Sequence, residues 1–407
     1  MRAMGTKRVC FCLLATLVVA SAATAGGSST PGVTSKQILI GGTTPISGPA
    51  SAYAAVAKGA DAYFKYVNAH GGVNGRSIKY KYVDDGYDPS QTIQRTRDLV
   101  QNDKVFAIYN TLGTETNLSI RSYLNQLKVP QLFVASGAST WGKDYKKYPW
   151  TIGYQPSYLA EGTIYGRYVA KNIRKAKIGV LYQNDDYGKE LVSGLERGLG
   201  AKKKLIVSKQ GYDVTDNDVK SQIARLKSKK ANVLMIFATP KFAIQSYAQA
   251  RQLGWRPKTF VNAVSSAANV MTIATMSSSR RQTEGSISIV FLKDPTDPRW
   301  AKDRAVKLFR TILKKYNGGK GLSDVYNVYG MSSAFTFVDA LKHAGKNPTR
   351  ASIMRAVTHL NERNNPFLLP GVSVKTSARD HFPLAQAKLE RYHNGRWVYF
   401  GSLVGVG

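Results

Sequence analysis

The sequence predicts an α/β protein of two doubly wound, mostly parallel sheets, and three observations lead there. Short apolar runs of strand length alternate with amphipathic segments of helical period from residue 38 to residue 261. The alternation breaks once, at 150–157 (WTIGYQPS), where a glycine and a proline interrupt it, and then restarts. The chain has 407 residues, 43% of them hydrophobic and 20% charged, which is globular composition for two domains of ordinary size.

Each element follows from its pattern. Ile38-Leu39-Ile40 reads as a strand and 41–52 as a loop. The next helix carries Val56, Ala60, Tyr63, Phe64 and Val67 on one face and stops at Gly71-Gly72. Ile78, Tyr80 and Tyr82 alternate in a second strand, a helix bearing Ile93, Leu99 and Val100 follows, and 105–109 is a third strand. A helix with Leu118, Tyr123, Leu124 and Leu127 leads to a fourth strand at 132–135. Successive strands linked by helices need crossovers, hence a parallel sheet covered on both faces.

Past the break, strands are expected at 178–182, 205–207, 233–237 and 259–261. Helices are expected at 157–173, 187–199, around Ile223 and Leu226, and at 242–253. The remainder reads as amphipathic helices at 300–316, 325–344 and 351–359. Two strands, 387–392 and 397–400, follow and are joined by the hairpin signal His393-Asn394-Gly395. The chain divides into a first lobe, 33–153 plus 284–368, and a second, 154–283 plus 369–407, with joins near 153, 283 and 368.

Residues 1–25 read as a signal peptide: Arg2, Lys7 and Arg8, an apolar run at 9–20, and the small-residue tail Ala23-Thr24-Ala25. Twelve apolar residues span roughly 18 Å as a helix, short of the ~30 Å hydrocarbon core. Cys10 and Cys12 lack the context of a lipid-anchor site, and they are the only two cysteines. The expectation is a periplasmic protein without lipid tether, disulfide or catalytic cysteine. The five histidines stand singly, so no metal site and no cofactor are expected.

Lys plus Arg number 58 against 25 Asp plus Glu, a formal charge of +33. The positives are spread over both units with only short clusters at 202–204 and 227–230, so a solvated basic surface is expected rather than a nucleic-acid site. Enzyme signatures are missing: no phosphate-binding G-x-x-x-x-G-K-[ST], no G-x-S-x-G and no H-E-x-x-H. The acidic stretches 84–89 (DDGYDP) and 213–218 (DVTDND) read as turns and helix caps.

In open parallel sheets ligands lie beyond the carboxyl ends of the strands. Small polar loops stand there, at 43–49, 110–116 and 136–141. Their hydroxyls and amides suit an anion, although Ser47, Thr114 and Ser139 equally suit helix capping.

The segments ILIGGTTPISGPASAYA, NAHGGVNGRSIKYKYVDDGYDP, VPQLFVASGAS and NDDYGKEL together resemble the periplasmic binding proteins of fold type I. Within that fold, the resemblance is to branched-chain-amino-acid-type substrate-binding proteins of ABC transporters, and it runs from about Val33 to the C-terminus. It implies two lobes joined by three hinge crossings, closing on a ligand that is delivered to an inner-membrane ABC permease. A monomer is expected. The same fold also serves sensory receptors, and an exported enzyme using the cleft is the remaining alternative.

The resemblance implies that Gly113 and Thr114, with Gly137 and Ser139, hold a ligand carboxylate or carbonyl. It matches a family tyrosine to Tyr187 and another to Pro240. Ser47, Trp141 and Ser265 complete the expected ligand set. Trp141, Tyr154 and Phe242 are either pocket walls or core. Amino-acid receptors carry an acid after a late strand of the second lobe, but 260–265 here reads FVNAVS. An unpaired ammonium is costly to bury, so the expectation is against an α-amino acid itself and for a small amino-acid-like, amide or aromatic carboxylate solute.

Overall fold

The computed structural model describes residues 30–405, with Met1 and Gly5; the rest of the expected signal segment lies outside the described residues. The first sheet holds β1 (Gln37–Thr44), β2 (Ser77–Asp84), β3 (Ile108–Tyr109), β4 (Gln131–Val134) and β5 (Thr151–Gly153). Its order is β2-β1-β3-β4-β5, every pair parallel. The linking helices are α1 (Ala54–Ala69), α2 (Pro89–Gln101), α3 (Thr114–Gln126) and the short α4 (Thr140–Lys143). Asp88 starts α2 by accepting from the backbone N–H groups of Ser90 and Gln91, with Pro89 in the first turn where no N–H is needed.

The second half begins with α5 (Tyr158–Asn172), β6 (Ile178–Gln183), α6 (Asp186–Leu199), β7 (Ile206–Tyr212) and α7 (Lys220–Ser228). It continues through β8 (Val233–Phe237), α8 (Pro240–Gln252), β9 (Lys258–Val261), α9 (Ala268–Ser277), α10 (Arg280–Thr283) and β10 (Ile287–Val290). Helices α11 (Arg304–Tyr316), α12 (Val325–His343) and α13 (Arg350–Val357) return to the first lobe. There α12 packs on α1, and the Arg350 guanidinium donates to the carbonyls of Val105 and Phe106. A small ribbon, β11 (Asn361–Glu362) with β12 (Val374–Lys375), precedes β13 (Gln386–His393) and β14 (Arg396–Gly405).

The second sheet runs β14-β13-β10-β9-β8-β6-β7, parallel from β10 to β7 and antiparallel at β13 and β14. All five residues of β8 are buried, as expected of a strand covered on both faces. The hairpin turns at Asn394 and Gly395, whose φ of 49° and 80° are those a two-residue turn of right-handed strands needs. Helices α5 and α6 touch backbone to backbone. A Cβ on Gly162 would collide with the Leu191 carbonyl, and one on Gly194 with the Leu159 carbonyl.

Three segments cross between the sheets, and one of them lies later than the sequence suggests. The join near 153 follows β5 directly. β10, however, is still part of the second sheet, so that crossing comes after Val290 and not near 283. There Phe291 and Lys293 bond with Leu369 and Phe367, the third crossing, and the second sheet resumes only at Gln386. Ser288 interrupts the short apolar run of β10, so the strand does not stand out in the sequence.

Candidate functional site

The carboxyl ends of the two sheets face each other, and the loops between them are shaped by acids placed in turns. Asp84 accepts from the amides of Ile46, Ser47 and Gly86 and from the Ser47 hydroxyl (2.6 Å), which ties down the first loop. Asp85 accepts from the Tyr87 amide and the Thr92 hydroxyl. Tyr87 is thereby held at φ 64°, a left-handed conformation that bulky side chains seldom adopt. Its ring lies against Gly113, where φ is 104° and a Cβ would strike the ring. Across the cleft, Asp185 caps α6 through the Gly188 amide. The buried Glu161 fixes the loop after β9 by accepting from the Ala263 amide and the Tyr165 hydroxyl, both at 2.7 Å.

These loops border a cavity of about 100 Å³ that opens to solvent. Tyrosines from several elements wall it: Tyr53 and Tyr87 from the first lobe, Tyr158 and Tyr187 from the second, and Tyr326 and Tyr329 from α12. Tyr53 packs edge-on against Tyr326 at 5.1 Å between ring centroids, and Tyr158 against Tyr187 at 5.0 Å. Val56, Leu112, Val264, Ile289 and Phe291 supply apolar surface, and Trp397 comes from the C-terminal strand. Burial pushes the phenols of Tyr53, Tyr87, Tyr187 and Tyr326 well above their ordinary range, so they present neutral O–H groups. The Tyr187 hydroxyl meets the Asn262 amide oxygen at 2.9 Å once that amide is oriented to suit its neighbours.

Of the residues read from sequence, Gly113 and Tyr187 line this cavity. The others stand elsewhere, bonded within the protein. Ser47 is exposed and held by Asp84. The Thr114 hydroxyl pairs with that of Ser136 (2.8 Å), and the Trp141 indole N–H donates to the same Ser136 oxygen (3.0 Å). Gly137 packs beneath Pro156 and Tyr158. Pro240 opens α8 behind Thr239, and Ser265 donates to the Ala238 carbonyl. Tyr154 bonds to Ser332, Thr336 and Asn365, and Phe242 stacks on Tyr212, so both are core.

Ser139 bridges the lobes instead. Its N–H and O–H both donate to the Glu190 carboxylate on α6, at 2.8 and 2.7 Å. Further links are the Asp186 amide to Glu115 (3.1 Å) and the Tyr326 hydroxyl to the Val264 carbonyl (2.7 Å). The two lobes are therefore in contact around the cavity.

One part of the site was not legible beforehand. The loop after β9 has no acid, yet the cavity is not without carboxylates: Asp294, in the second crossing, and Glu390, on β13, both line it. The ground for expecting no partner for an ammonium therefore does not hold. Burial raises Glu390 well above the usual carboxylate range and raises Asp294 as well. Among the described residues no group of three or more metal-ligating side chains is assembled, and no helix is long and apolar enough to cross a membrane.

A two-lobed α/β binding protein with a solute-sized cavity between opposed strand ends is the class that this fold and site define. The family model described as "Periplasmic binding protein" matches residues 37–395, and the chain belongs to that family. The Leu/Ile/Val-binding protein homolog 1 of Brucella suis is 25% identical over 319 residues, 76% of this chain and 80% of that protein. A branched chain amino acid ABC transporter from Thermus thermophilus with bound valine has a TM-score of 0.78 at 18% identity, covering 91% of this chain and 96% of that one. An R. palustris ABC-transporter solute binding protein in complex with benzoate has a TM-score of 0.73 at 17% identity, covering 90% and 96%. Membership carries the role of a substrate-binding protein and implies periplasmic export.

Proposed function

We propose that this chain is the exported receptor of an ABC importer, taking up a small organic solute between its lobes and presenting it to an inner-membrane permease unchanged. The observation that carries the reading is the tyrosine-walled cavity at the meeting of the two sheets, lined from both lobes and from the crossing segments. Each lobe supplies only part of the wall, so a ligand that touches both favours the closed arrangement by its extra contacts there. The relatives' names, which include Leu/Ile/Val binding, support a solute of amino-acid size. The valine and benzoate seen in fold neighbours fit a cavity with an apolar body and a few polar groups.

Residues 1–25 act in this reading as a cleaved export signal, and the mature receptor works as a monomer in the periplasm. The cavity's phenols and apolar side chains suit holding a ligand rather than transforming it. The test is thermal unfolding against a panel of amino acids, amines, amides and aromatic acids. A true ligand at 100 times its Kd stabilises by ~2.7 kcal/mol. A panel without a single stabilising compound contradicts the proposal, as does chemical conversion of the compound that binds.

A further inference from the structure

Glu390 is only 4% exposed. It sits mid-strand on β13, between Ser288 of β10 and Tyr399 of β14, and lines the cavity. Among the described residues its carboxylate has no ion pair and no hydrogen bond that meets ordinary geometry. The Ser266 hydroxyl is near enough to favour the ionised form, but it donates its proton to the Ala263 carbonyl at 3.0 Å.

The cations of the neighbourhood are engaged elsewhere. Arg299 grips Asp297 through Nε, at 2.8 and 3.1 Å, and lies 3.5 Å over the Tyr399 ring. Lys293 pairs with Asp303 at 3.0 Å, and Lys388 rests over Tyr399.

Asp294 stands at the same end. One of its oxygens takes both bonds from Thr296 (2.7 Å each), and the other accepts none among the described residues. Asp324 is close enough to feel its charge. In a chain of formal charge +33, acids gather at this end of the cavity, and Arg299, whose charge reaches Glu390, is ion-paired to Asp297 instead. Tyr326, Tyr329 and Trp397 line the cavity as well, and aromatic rings attract cations. A buried carboxylate with no partner is unfavourable until it takes a proton or a counter-charge.

We propose that Glu390, with Asp294 beside it, is the cation-recognising end of the cavity, and that the solute is a small organic ammonium compound whose apolar body lies among the tyrosines. This rests on the reading of the cavity as the ligand site and adds to it the sign of the ligand's head group. The acid comes from β13, more than a hundred residues beyond the loop after β9.

The test uses the full exported chain and three matched probes: 2-phenylethylammonium, 3-phenylpropionamide and 3-phenylpropionate. L-Leucine and isopentylammonium extend the set to aliphatic ammonium compounds. Melting and calorimetry should show binding of ammonium probes and none of the propionate. Glu390→Gln should weaken ammonium binding at least tenfold and Asp294→Asn less. Neither variant should melt below the unliganded parent, because neither carboxylate forms an ion pair among the described residues and burial disfavours the charge of both.

The inference is overturned if ammonium binding survives Glu390→Gln unchanged, if only neutral or anionic probes bind, or if Glu390→Gln lowers unliganded stability sharply. A bulky substitution in the cavity wall, Val264→Trp, separates this from failure of the receptor reading. If it leaves probe binding intact, the cavity is not the binding site and both readings fall. Should no probe of any charge bind, both fall as well.

Discussion

The loops at the tips of the first sheet and the acidic end of the cavity are both rich in polar groups, and they differ in what those groups already hold. In the first-lobe loops nearly every attractive donor is satisfied internally: Ser47 by Asp84, Thr114 by Ser136, Ser139 by Glu190. Among the described residues Glu390 forms no ion pair and one oxygen of Asp294 accepts no hydrogen bond at the acidic end, and on another wall the Tyr53 hydroxyl is buried without a hydrogen-bond partner. Side-chain type at a strand tip is therefore a weaker sign of a ligand site than an unsatisfied group facing a cavity. The first kind of group stabilises the fold, while the second stands ready for a molecule that arrives later.

The largest expected effect concerns buried acids away from the cavity. Glu161 and Glu362 are pushed by burial from 4.5 up to about 7. An acid that binds its proton more tightly when folded contributes stability that is fully present below its unfolded pKa and lost as pH rises through the folded one. Stability should thus fall between about pH 4.5 and 7.5, by at most ~3 kcal/mol for each group taken alone. Urea unfolding at pH 5 and pH 7.5 checks this, and a Glu161→Gln, Glu362→Gln double variant should flatten the difference. A parent that is more stable at pH 7.5 contradicts it.

Next comes Asp84→Ala. It leaves the Ile46, Ser47 and Gly86 amides without their acceptor, so a loss of about 1–3 kcal/mol is expected in chemical denaturation. No loss would mean that the first loop is not held as described.

A smaller change is expected from Glu190→Ala, about 1–2 kcal/mol, because it removes the acceptor of the two Ser139 bonds alone. Its more telling readout is X-ray scattering: loosening this bridge should enlarge the unliganded protein. An unchanged profile would show that the bridge does not hold the lobes together.

Smallest of all is Tyr53→Phe. Unliganded stability should stay within about 0.5 kcal/mol of the parent, since the hydroxyl has no partner to lose. Ligand affinity should drop about five- to tenfold, near 1 kcal/mol for a hydrogen bond. A variant that melts much lower but binds normally would place Tyr53 with the first-lobe loops, as a structural group.

How far the sequence reaches follows from the same contrast. Strands and helices with one-sided patterns, such as β2, α6 and α11, were legible because periodicity encodes which face is buried. Strand β5 is three residues long and β10 alternates serine with isoleucine, so neither rises above its surroundings. α9 is apolar nearly all round and shows no stripe.

The site was less legible. Tyr187 and Gly113, named through the resemblance, do line the cavity, but nothing local marks Tyr53, Tyr326 or Tyr329 among 23 tyrosines. Glu390 sits in a strand whose neighbours Arg391 and Lys388 read as solvent-facing, and only the pairing of β13 with β10 carries it to the cavity. Whether a hydroxyl is free or already bonded depends on residues dozens of positions away, as with Ser139 and Glu190.

The most direct test is a crystal structure of the protein with the tightest-binding compound from the probe panel. The account predicts that compound inside the tyrosine-walled cavity, its charged nitrogen about 3 Å from Glu390 and its body against Tyr53 and Tyr326. A compound bound outside the cavity, or one that turns its polar end to Ser47 and Thr114 with Glu390 left empty-handed, would contradict it.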